Sequence, residues 1–152
     1  MKTWLAFSAA VLPLFVLSCS SSSSSGAPAE SFDDMFAAQA GGDATSVFGV
    51  WGASKNQQGY DIEQRLSLAA DKVRLAQKCS APDGTSDTVG VSSPATITAD
   101  HAHVTESHTA QKQVVQAQCV VQMQAGDGAI AIAGGKLTFA GLTFDTKYGD
   151  KP

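Results

Sequence analysis

Residues 115–124 read Val115-Gln116-Ala117-Gln118-Cys119-Val120-Val121-Gln122-Met123-Gln124, apolar at every odd position and glutamine at every even one except Val120. A period of two held over ten residues marks a strand with one face in an apolar core and one in water. It turns Cys119 inward with Val115, Ala117, Val121 and Met123. The same rhythm extends in both directions. Upstream, Ile62, Leu66 and Leu68 alternate with Glu63, Arg65 and Ser67, and past a polar corner at Asp71-Lys72, Val73, Leu75 and Cys79 alternate with Arg74, Ala76 and Lys78. This predicts a hairpin with one wet face, with Cys79 at inward parity.

Before that hairpin, Val47-Phe48-Gly49-Val50-Trp51 is a β-rich run, and Asn56-Gln57-Gln58-Gly59 turns the chain. After it, Pro82-Asp83-Gly84 opens a loop and Val89-Gly90-Val91 starts another strand. Ala95–Thr98 and Ala102–Thr105 flank a corner at Asp100-His101. Gly126-Asp127-Gly128 reads as a turn into Ala129–Ile132, Gly134-Gly135 as the next, and Leu137–Phe139 leads through Gly141 to Leu142–Phe144. About eight or nine short strands at this spacing predict an all-β domain, a small antiparallel barrel or sandwich over residues 46–148 with a tail at 149–152. Its interior would be lined by Ile62, Leu66, Leu68, Val73, Leu75, Val115, Val121, Ile130 and Ile132.

Ten basic against fourteen acidic side chains leave a net charge of −4, and no window is rich in Lys or Arg. A nucleic-acid surface is not expected from that balance. Residues 31–45 form a short helix and linker. Ser31 is placed to cap, Asp33 and Asp34 suit the first turn, Phe32, Met35 and Phe36 share a face, and Gly41-Gly42 ends the element.

Residues 1–18 have the build of an export signal, with Lys2 as its positive end and an apolar run from Leu5 to Leu17. Val16-Leu17-Ser18-Cys19 resembles the lipobox of bacterial lipoproteins. That resemblance implies cleavage before Cys19, a lipid thioether on its sulfur and a fatty acyl chain on its amine, enough for stable anchoring. Residues 19–30, with the serine run Ser20–Ser25, then form a solvated tether. Ser20 after the lipidated cysteine implies sorting to the outer membrane of the envelope. Loss of Lys2 leaves nine basic against fourteen acidic groups, near −5. With Cys19 used by lipid, Cys79 and Cys119 remain as an even pair in an oxidising compartment. A bridge between them closes a loop of roughly 40 residues and contributes about 4 kcal/mol in the chain-entropy model; two free buried thiols are the alternative.

Gly49-Val50-Trp51 at the start of the first strand, after a short helix and before a run of hairpins, resembles the lipocalin-like barrels. The resemblance implies that Trp51 packs under the barrel floor against a basic residue of the last strand, a role Lys147 can fill. It also implies a small apolar ligand, for which Trp51, Leu66, Leu75 and Val121 are the candidate contacts. Thr146-Lys147-Tyr148-Gly149 resembles the lysine-bearing loop of periplasmic lysozyme inhibitors, which implies a protein partner instead.

The three histidines fall in one stretch, with His101 and His103 two apart on a strand and so on one side, a spacing open to Zn²⁺ or Cu²⁺. A solvated turn is the favoured reading of them, and no metal or other cofactor is expected. Gln116, Gln118, Gln122 and Gln124 form an amide row that suits either solvent or a recognised partner. No Gly-x-Ser-x-Gly elbow occurs, and the acids sit mostly at corners such as Asp71, Asp83, Asp100 and Asp127. The expectation is a non-enzymatic envelope lipoprotein that binds a small apolar ligand or an envelope protein.

Overall fold

The structure is a computed structural model and describes residues 30–152. The signal, Cys19 and most of the serine tether lie outside the described residues. The chain runs α1 (Asp33–Ala37), β1 (Gly49–Gln57), β2 (Tyr60–Leu68), β3 (Lys72–Ser80), β4 (Ser86–Ile97), β5 (His101–Val104), β6 (His108–Val114), β7 (Ala117–Met123), β8 (Gly126–Ala133), β9 (Lys136–Phe139), β10 (Leu142–Phe144) and β11 (Thr146–Gly149). All pairings between these strands are antiparallel. The predicted all-β barrel is what forms.

Nine strands make one sheet in the order β10-β9-β8-β5-β4-β3-β2-β1-β11. Its two outermost strands, β10 and β11, are consecutive in the chain and separated only by Asp145. One bend therefore brings the sheet's ends together, and beside the Gly52–Thr146 pair of β1 and β11 the Asp145 N–H donates to the Gly52 carbonyl at 3.0 Å. The result is a nearly closed barrel.

Strand β4 is one continuous twelve-residue strand through Pro94, where the sequence pattern gave two short ones. Its first part pairs with β3 as far as Pro94, and Ala95–Ile97 pair with β5. Pro94 sits at this change of partner, where its missing N–H removes nothing from the ladder to β5.

The alternating stretch at 115–124, with its partner strand, is not part of the barrel sheet. β6 and β7 pair only with each other. They form a flap along the outer half of β4, whose edge there has no ladder partner, and they put Val114, Cys119, Val121 and Met123 into the common core. Cys119 is joined to Cys79 of β3, with the Cα atoms 5.9 Å apart, so the expected bridge bolts the flap to the barrel. Val115 departs from the expected inward face. It is 49% exposed, in the two-residue turn between β6 and β7, with φ +54°. The buried residue is its neighbour Val114, because the alternation of β7 ends at Ala117 and the turn resets the phase. Ile62 and Ile132 are only partly buried.

The predicted wet face of β2 and β3 is covered. Arg65, Ser67 and Ala76, all at outward parity, are buried. Above them lies the segment from Glu30 to Ala37, which includes the single turn α1. That turn is shorter than predicted, and Phe32, not Ser31, occupies its N-cap; Ser31 Oγ meets the Asp33 N–H only at 3.4 Å.

Candidate functional site

The floor of the barrel is built on Gly49. Its φ is +104°, and a Cβ there would lie 2.2 Å from the Gly149 carbonyl oxygen, so no other residue fits. The pairing of β1 with β11 shifts by a bulge between Val50 and Trp51, which re-aims the indole. Trp51 is wholly buried and donates Nε1–H to the Val47 carbonyl at 3.0 Å. Lys147 is its cross-strand partner on β11, with Nζ 4.7 Å from the ring centre. That amine also donates to the carbonyls of Ser46 (3.0 Å) and Phe48. Burial lowers the Lys147 pKa from the ordinary lysine value, opposed by the charges of Asp150 and Asp43. The lysine expected over Trp51 is there, and for the same reason it is not presented in a loop as a protein inhibitor would require.

Above this floor the barrel is filled by its own side chains, with Trp51, Phe144, Leu66, Leu68, Leu137 and Val73 fully buried. Trp51, Leu66 and Val121 lie inside that core. The fourth candidate ligand contact, Leu75, borders open space as well. It lines a pocket of about 370 Å³ at the elbow where β7 leaves the flap and β8 begins. Ala102 and Val104 of β5, Met123, Phe139 and Leu142 supply the other apolar surface, with Gln122, Gln124 and the chain from Ala125 to Gly128 beside them.

The pocket has a specific origin in the sequence. Gly126-Asp127-Gly128 is the opening of β8, not a turn. Gly126 and Gly128 stand at the inward parity of Ile130, where a barrel strand ordinarily carries apolar side chains. A Cβ built at either position meets nothing within 4 Å. Two absent side chains leave the space, and the volume lies near the lower end of the ~300–1,000 Å³ typical of small-molecule sites.

The histidines lie outside this wall. His101 and His103 are exposed on β5, and Asp127, the register partner of His103 on β8, brings one oxygen to both: 3.1 Å from His101 Nε2 and 2.8 Å from His103 Nδ1. Hydrogen bonds from His103 and His101 hold the Asp127 pKa below the usual carboxylate value. Among the described residues no group of three or more His, Cys, Asp and Glu is arranged to hold a metal ion, and His108 is engaged separately by Glu106 at 3.1 Å. The part of Asp127 was invisible in the sequence because it depends on β8 pairing with β5 across two intervening strands. Gln118, Gln122 and Gln124 are exposed on the flap as the alternation implied.

The covered outer wall is the other built feature. Arg74 of β3 forms two hydrogen bonds of 2.9 Å to the Asp34 carboxylate and one of 2.8 Å to the Ser31 carbonyl. Its guanidinium lies 5.3 Å from the Phe32 ring centre. Phe32 in turn lies on Gly90, where a Cβ would come within 2.5 Å of the ring. Glu30 accepts from Lys72 Nζ at 2.7 Å and Ser92 Oγ at 2.6 Å. Buried Arg65 stacks on Tyr148 at 3.8 Å and faces Phe36 at 5.3 Å. The segment from Glu30 to Ala37 is thus strapped to the side of the barrel.

Floor, filled interior, bolted flap and elbow pocket together define a disulfide-braced, all-β barrel-like protein. Comparison with protein-family models, with curated proteins and with solved structures gave no match.

Proposed function

We propose that the protein is a non-enzymatic lipoprotein of a bacterial envelope, held to the outer membrane through Cys19, whose barrel binds a small apolar molecule at the elbow of β7 and β8. The pocket carries the binding half of this reading. It is apolar at its base, bordered by peptide groups, and opened by two glycines where core side chains would otherwise stand. Such a mixture of apolar walls and a few polar groups is what small-molecule sites use for affinity and orientation. The anchoring half rests on the lipobox and the serine tether. A disulfide between β3 and the flap agrees with an oxidising compartment.

The sample is the exported protein without its lipidated cysteine, residues 20–152 behind a secretory signal. Titration with 1-N-phenylnaphthylamine is expected to give saturable fluorescence enhancement, lost in Ala125→Trp, which fills the pocket mouth from an exposed position. Enhancement that is absent, or unchanged in the variant, removes the pocket as a ligand site. For the anchor, the full chain should incorporate labelled palmitate and Cys19→Ala should not. Equal labelling of the two would refute lipidation at Cys19.

A further inference from the structure

We infer that the pocket selects an apolar molecule with an uncharged hydrogen-bonding head, such as an alcohol, ester or amide, over one bearing a carboxylate or an ammonium group. This rests on the proposed reading of the elbow as a ligand site. No Lys, Arg or His lines the pocket. An anionic head would leave water for an apolar site with no counter-charge, an unfavourable transfer.

The one ionisable residue lining it is Asp127. Its carboxylate stands at the outward parity of β8 and already receives both His101 and His103. Its Oδ1 is engaged there, on the face of β8 opposite the one that Gly126 and Gly128 leave open. The Gln122 and Gln124 side chains stand at the outward parity of β7, so the polar groups left to the pocket are the peptide groups from Gln122 to Gly128. Amides both donate and accept, which matches a neutral head that does the same. At about 30 Å³ of liquid volume per water, 370 Å³ holds about a dozen waters. A ligand of roughly ten carbons is in scale with that.

The glycine at 128 supplies a variant that keeps the fold. A Cβ there meets nothing, and the position has no positive φ, so Gly128→Val adds a strand-favouring side chain into empty space. The experiment displaces bound 1-N-phenylnaphthylamine at pH 7 with decanol, decanoate and decylamine, in parallel on the wild type and Gly128→Val. Decanol is expected to displace the probe at a concentration at least tenfold below that of the other two, and Gly128→Val to lose the pocket-specific probe signal. Decanoate or decylamine matching decanol in the wild type would overturn the head-group selectivity and leave the pocket standing. Probe binding that Gly128→Val does not alter, or none in the wild type, would overturn both the pocket and the inference built on it.

Discussion

Val115 is an apolar, β-branched residue in the left-handed region, exposed at the tip of the flap. A β-branched side chain meets its own backbone there, at a cost of about 1–2 kcal/mol. Asparagine tolerates that conformation. Val115→Asn is therefore expected to stabilise the protein by about 1 kcal/mol, read as a higher urea midpoint with an unchanged slope. A lower midpoint would show that the strain is not there to be relieved. The same residue marks a limit of reading from pattern. Alternation fixed the face of every β7 residue from Ala117 to Met123, and a turn residue that happened to be apolar carried the phase two positions too far. Trp51 and Lys147 mark the opposite case, since the basic residue expected over the indole is the one that lies there.

At the scale of the element, the flap and the N-terminal strap are both attached to the barrel without a continuous ladder. The flap is held by core side chains, by Lys112 on Asp87 at 2.7 Å, by the Gln116 N–H on Tyr60 Oη at 3.4 Å and by the disulfide. Replacing both cysteines by alanine is expected to lower stability by about 4 kcal/mol. Amide hydrogen exchange should then quicken in His108–Met123 well before β2 and β3. Uniform quickening across the sheet would mean that the flap is no separate unit. The alternation in β6 and β7 predicted strands correctly but not their place, because period two records which face is buried and not which strand lies alongside.

The strap responds to acid. Burial works against the Glu30 carboxylate, yet hydrogen bonds from Lys72 and Ser92 and the charges of Lys72 and Arg74 outweigh it and hold its pKa below the ordinary value. The hydrogen bond from Arg74 does the same for Asp34 against its desolvation. Both folded-state values lie below the unfolded ones. Their stabilisation is thus fully present above the ordinary carboxylate range and is lost as pH falls through the lowered values. Protease cleavage between Glu30 and Ser46 should accordingly rise on acidification below about pH 4, and Gly90→Ala should produce it at neutral pH by displacing Phe32. A strap equally protected in both cases would show that Met35 and its apolar contacts hold it alone.

For the whole molecule, the fold class and most strand positions were legible because one wet face and one dry face impose a period of two. The filled interior was not, since volume depends on which strands meet. The covered face of β2 and β3 was hidden for a related reason: Arg65 and Arg74 look solvated until Tyr148, Phe32 and Asp34 are brought to them from distant parts of the chain. The elbow pocket was hidden because glycines next to an aspartate look like a turn when the partner strand is unknown. Leu75 alone of the four candidate contacts reached it, through its inward parity.

The bend at Asp145 also sets an order in time. Synthesis delivers the N-terminal strands first, and β1 to β4 form a local meander that can pair as it emerges. Trp51, however, is covered by a lysine 96 positions later, paired through the last strand of the sheet. Until that strand has been made, the indole lacks its lysine and the two ends of the sheet have nothing to join them. The barrel therefore closes in a final step, and Trp51, the sole tryptophan after Trp4, reports by its fluorescence the moment at which it does.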